Sequence, residues 1–160
     1  MDKQALLERL ENDGIEHLWV IYHDYSGRSC AKTVPRERFA STIEQGVVFA
    51  RANLDFTLDD HQSAGAAFLA DTGDFLAVPD PESYAPIPYY DATGRAHAFM
   101  RANAEGSQWD GCPRTQLARI LEAYAAQDLS VQVGFEAEFT LFAKTDEGEF
   151  VHSDQDGMFT

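Results

Sequence analysis

At 160 residues, 44% of them apolar, the chain is long enough for one packed domain and part of another. Acidic residues outnumber basic ones 27 to 12, a formal charge of −15, and Lys and Arg form no cluster that tracks a phosphate backbone, so nucleic acid and anionic membrane are poor partners. Cys30 and Cys112 lack CxxC spacing, which argues against a disulfide scaffold or zinc knuckle; with no apolar run of membrane-spanning length, the expected location is the cytoplasm.

The first predicted element is a helix over about residues 3–13, with Leu6, Leu7 and Leu10 on one face and Gly14 as its stop. "IEHLWVIYHDYSGRSCAKTV" follows as two β-rich runs around the turn residues "DYSG", a hairpin. Pro35 opens a second helix, "PRERFASTIEQG", in which Phe39 and Ile43 share a face and Gly46 ends the run. Periodicity is weak from Val47 to Thr72, which reads as a long loop with short extended pieces. "DFLAVPD" and "GRAHAFMRAN" are strands, separated by the proline-spaced course "PESYAPIPYY".

This order describes an α+β sheet with helices on one side, a class that includes the ubiquitin-like β-grasp. A linker is expected at 104–112, "AEGSQWDGC", dividing a first domain at 1–103 from a second at 113–160. Pro113 opens a third helix with Leu117, Ile120, Leu121 and Tyr124 on one stripe. The second domain is expected to be incomplete, because one helix and one strand cannot close a core.

After that helix comes "VGFEAEFTLF", an apolar run broken by two glutamates. Read as a strand, it directs Val131, Val133, Phe135, Ala137, Phe139 and Leu141 to the interior. Glu136 and Glu138 then share the other face, about 6.6–7 Å apart at their Cα atoms. Like charges at this spacing repel unless water screens them or cations sit beside them. Three roles stay open: a solvent-facing strand edge, a ligand pair for hard divalent cations, or the acid and base of a glycosidase, the last being less natural for adjacent positions of one strand.

"GFEAEFTLF" resembles the strand that opens the catalytic domain of the glutamine synthetase family, and "CPRTQLARILEAYAAQDL" resembles the helix before it. "DYSGRSCAKTVP" is similar to that family's first hairpin and "GDFLAVPD" to a later strand of its N-terminal domain. The resemblance implies a β-grasp domain followed by the first helix and strand of a catalytic barrel. It also implies ATP-dependent joining of glutamate to an amine through γ-glutamyl phosphate, with Mg2+ or Mn2+ and ATP as cofactors. Glu136 would ligate the nucleotide-side cation and Glu138 the cation near glutamate. Full-length members form homo-oligomeric rings with active sites between the N-terminal domain of one subunit and the barrel of the next. Ala50 and Asn53 in "FARAN", together with Asp74, would line that shared site. Where glutamine-forming relatives carry an aspartate that helps hold ammonium, this sequence aligns Ala50, which implies a different amine unless Asp55 substitutes. By itself the 160-residue chain is expected to be inactive.

A noncatalytic β-grasp interaction module, or a truncated relative assembling with full-length subunits, is the rival reading. His17 and His23 are expected to be ordinary surface or half-buried residues, with His61, His97 and His152 isolated. Cys30 and Cys112 are expected to be structural, and Trp19 a core or subunit contact.

Overall fold

The computed structural model describes residues 1–57, 59–103, 106 and 108–153. By packing, the chain forms two units, Met1–Leu129 and Ser130–Thr160. Residues 104, 105 and 107 of the expected linker lie outside the described residues.

In the first unit, helix α1 (Lys3–Asn12) is capped by Asp2, whose carboxylate accepts from the Ala5 amide at 2.8 Å. Strand β1 (His17–His23) is rich in branched and aromatic side chains suited to a pleated, two-sided ladder, and it takes a central place. β2 (Ser29–Pro35) pairs with it antiparallel, from His17 opposite Pro35 to His23 opposite Ser29, forming the expected hairpin. Pro35 ends that strand. A short 3-10 turn, Arg36–Arg38, then leads into α2 (Phe39–Gln45), because a proline at the mouth of this helix is already committed to extended backbone.

β3 (Val47–Ala50) lies in the stretch expected to be loop and pairs antiparallel with β4 (Asp74–Pro79). Four residues are too few to show a period, so only the long-range pairing reveals the strand. The two-residue β5 (Ala85–Pro86) joins β6 (Thr93–Arg101), which runs antiparallel to β4 and parallel to β1. The sheet order is β2-β1-β6-β4-β3.

Leu6 and Leu10 of α1, Phe39 and Ile43 of α2, and the inward positions Leu18, Val20, Tyr22, Phe49, Phe75, Ala96 and Met100 make one core. Each large side chain so buried contributes about 1.5–3 kcal/mol. Tyr22 lies edge-on to Phe49 and Phe75, with ring centroids 4.6 and 5.1 Å away, which fixes the end of β1 against β3 and β4. Gly46, at φ +85°, takes α2 directly into β3; a Cβ there would meet the Ala77 carbonyl oxygen at 2.9 Å.

Helix α3 (Pro113–Ala125) belongs to this first unit. Cys112 is fully buried and its Sγ accepts from the Met100 amide at 3.3 Å, Arg114 pairs with Asp80, and Thr115 is buried. The expected stripe of Leu117, Ile120, Leu121 and Tyr124 is present but exposed.

The second unit contains one hairpin, β7 (Phe142–Lys144) with β8 (Phe150–His152). The strand expected over Val131–Leu141 is not formed. Strand geometry persists through pairing, and β7–β8 is the only ladder among the described residues of this unit; the run meets it only at its end, where the Leu141 carbonyl accepts from the Ser153 amide at 3.0 Å. Its apolar side is likewise not interior: Val133, Phe135 and Phe139 are 69%, 95% and 77% exposed.

Candidate functional site

The hairpin turn "DYSGR" is built around one carboxylate. Asp24 has no side-chain exposure, and its Oδ1 accepts from the Ser26 and Arg28 amides at 2.9 and 2.8 Å while Oδ2 accepts from Arg28 Nε at 3.1 Å. An aspartate at the first turn position bonding its own backbone explains why this sequence turns here. Gly27, at φ +81°, completes the reversal. The same Arg28 extends Nη1 to Asp60 at 2.6 Å, tying the hairpin to the segment after β3.

Between them lies a cleft of about 390 Å³ lined by Tyr22, Arg28, Cys30, Lys32, Phe49 and Asn53, with Phe56 and Asp60 at its edge. Burial, with Cys30 beside it, pushes the Tyr22 hydroxyl well above the usual tyrosine range, so it stays a neutral phenol. Lys32 Nζ donates to the Val48 carbonyl at 2.6 Å and stands 4.8 Å from the Phe49 ring centroid. The carboxylate lining this cleft, Asp60, is taken by Arg28.

Of the residues singled out from the sequence, Ala50 and Asp74 are cross-strand partners at the end of the β3–β4 ladder. Asn53 follows in the 3-10 turn Arg51–Asp55 and faces the cleft. Arg51 fastens this corner, donating from Nε to the Asp74 carbonyl at 2.9 Å and from Nη2 to the Ala102 carbonyl at 3.2 Å. The Asp55 carboxylate accepts from the Phe68 amide at 3.1 Å, so it is occupied in holding its own loop. Ala50, Asn53 and Asp74 therefore cluster at one corner of the first unit.

Glu136 and Glu138 lie in the second unit, both exposed. Their hard oxygen donors suit Mg2+ or Mn2+ in kind. In number they fall short: among the described residues no three His, Cys, Asp or Glu side chains converge on a cation position. The pair would supply two ligands of a larger set.

Sequence reasoning missed an imidazole pair. His23 on β1 and His97 on β6 stack with ring centroids 5.1 Å apart, and His23 Nε2 lies 3.1 Å from His97 Nδ1. The parallel β1–β6 register sets Ile21 opposite His97, so His23 is its diagonal neighbour. Nothing within either strand signals a pairing that spans 74 positions of sequence.

Residues 110–158 match the sequence pattern described as "Glutamine synthetase, catalytic domain", a span that encloses both glutamates. The chain is 30% identical over 142 residues to a glutamine synthetase of Thermococcus kodakarensis, covering 89% of this chain and 29% of that protein. A glutamine synthetase of Halobacterium salinarum is 26% identical over 163 residues, covering 99% of this chain and 34% of the relative. The chain thus spans about a third of the length of these curated relatives. Among solved structures, GmaS without ligand superposes with a TM-score of 0.62 at 28% identity, over 77% of this chain and 26% of the other. A GmaS/ADP complex gives 0.59 at 30%, with the same coverage. The catalytic-domain pattern and the curated relatives point the same way: the chain belongs to the glutamine synthetase family.

Proposed function

We propose that the chain is the N-terminal portion of an ATP-dependent ligase joining the side-chain carboxylate of glutamate to an amine. Residues 1–103 act as a β-grasp-type wall, 104–112 as a linker, and 113–160 as the opening of the catalytic domain. The observation that carries this reading is the catalytic-domain match over 110–158, which contains Glu136 and Glu138. Bound divalent cations would set positive charge against phosphoryl oxygens. The part of this chain's own residues is to present two carboxylates to those cations and to shape the amine entry with the Ala50–Asn53–Asp74 corner. The assembly is a homo-oligomeric ring in the cytoplasm.

The amine is other than ammonium. Ala50 puts a methyl group where the family resemblance places a carboxylate, and the acids around it have partners of their own: Asp55 accepts from the Phe68 amide, Asp60 pairs with Arg28, and Asp74 stands across the ladder from Ala50. The cleft beside Asn53 also carries Phe56, a half-buried ring suited to an amine carrying carbon.

Grafting this chain in place of the matched N-terminal third of the Thermococcus relative tests both statements. Glutamate-dependent ATP hydrolysis is measured with ammonium, methylamine, putrescine and ethanolamine. The reading predicts faster turnover with an alkylamine and a loss of about 100-fold or more for Glu136→Gln or Glu138→Gln. Fastest turnover with ammonium overturns the amine assignment, and indifference to both substitutions overturns the ligase assignment.

A further inference from the structure

The imidazole pair belongs to a four-membered row across three strands: Ser29 on β2, His23 on β1, and His97 and Arg95 on β6. Arg95 Nη1 stands 2.8 Å from His97 Nε2, His97 Nδ1 stands 3.1 Å from His23 Nε2, and His23 Nδ1 stands 3.3 Å from Ser29 Oγ. A guanidinium only donates, so His97 Nε2 must be the acceptor and its proton must sit on Nδ1. That N–H donates to His23 Nε2, which places the His23 proton on Nδ1, facing the serine. One tautomer of each ring satisfies all three contacts, and both rings are neutral in it. A proton added to His97 faces the Arg95 N–H, and one added to His23 faces the His97 N–H. Either addition breaks a bond and sets two donors against each other.

We propose that this row is an acid-sensitive latch, closed while both imidazoles are neutral and released when either is protonated, loosening the end of β1 that carries the Asp24 turn. Arg95 from β6 and Arg114 from α3 disfavour a proton on His97, Asp80 after β4 favours one, and Ser83 and Ser29 are neutral hydrogen-bonding neighbours. Burial acts in the same direction as the two arginines, and the outcome is a His97 held below the ordinary histidine range. His23 immediately precedes Asp24, whose carboxylate organises the turn and, through Arg28, holds Asp60 at the cleft. Acid release therefore reaches the cleft through one peptide bond. This inference stands on the fold and is independent of the reaction assigned above.

The linkage has a definite sign. Because His97 binds its proton more weakly folded than unfolded, stability is constant above about pH 6.5 and falls as pH drops below it, towards the lower folded value. The test combines proton NMR of the imidazole C–H resonances with amide exchange of Ser26 and Arg28 between pH 8 and pH 5 on the intact chain. The latch predicts a His97 midpoint below the ordinary histidine range, and protection of both amides lost together with His97 titration. In His97→Gln the pH dependence of that protection disappears, while in His17→Gln it persists. A His97 midpoint at or above the ordinary histidine value of about 6.5, or amide protection unchanged across the range, overturns the proposal. Should His97→Gln fail to fold, the wild-type titration decides by itself.

Discussion

Replacing Asp24 by alanine removes the centre of the hairpin turn. The carboxylate has no side-chain exposure and receives three hydrogen bonds, two from backbone amides and one from Arg28. Its loss strands those donors and removes one of the two carboxylates that pair with Arg28, leaving Asp60; breaking a fully buried pair costs about 3–5 kcal/mol, which bounds the change from above. Arg28 retains 30% exposure, so water recovers part of its hydration and the lower end, about 3 kcal/mol, applies. For a chain of this size that is a fall in Tm of roughly 6–12 °C. Asp24→Asn keeps one acceptor and turns an amide N–H2 towards Arg28, for an intermediate loss of about 1–3 kcal/mol. Urea unfolding of the three proteins, with Arg28→Ala to form a double-mutant cycle, measures both costs. A Tm within 2 °C of wild type for Asp24→Ala refutes the view that this turn is held by its buried carboxylate.

Gly46→Ala forces a residue with a Cβ into φ +85° and against the Ala77 carbonyl, destabilising the chain by about 1–3 kcal/mol in urea. Tyr22→Phe keeps both ring contacts and loses only the hydroxyl, so it costs about 1 kcal/mol, whereas Tyr22→Ala opens the core between Phe49 and Phe75 and costs about 3–5 kcal/mol. Tyr84→Phe removes the bond from the Tyr84 hydroxyl to Asp13, which Tyr84 and then Arg9 hold below the usual carboxylate range. With the folded value depressed, the wild-type advantage over this variant is present above about pH 4 and vanishes as pH falls through the folded value, which an acid-unfolding comparison reads directly.

Local signals in the sequence carried much of the first unit. The leucine spacing of α1, the "DYSG" turn and the branched run of β1 each obey short-range rules, and each stands where expected. β3 escaped notice because four residues become a strand only through β4, which arrives after a long excursion. The His23–His97 pair escaped for a related reason, since parallel neighbours meet only after a crossover. The twin-glutamate segment shows the reverse case. Its alternation is a sound strand pattern, but alternation states which faces differ, not what covers them, and no ladder forms over Val131–Leu141 among the described residues. At the candidate site, family resemblance singled out Ala50 and Asp74 separately, while their pairing and the engagement of Asp55 and Asp60 emerge only from tertiary contacts.

The most direct test of the central claim, that Glu136 and Glu138 each ligate a divalent cation, is paramagnetic broadening of backbone amides by substoichiometric Mn2+. The segment also lies near other exposed acids, Asp146, Glu147 and Glu149, which serve as internal controls. The account predicts broadening centred on residues 136–138 that disappears in Glu136→Gln/Glu138→Gln. Equal broadening at 146–149, or a pattern unmoved by the double substitution, contradicts it.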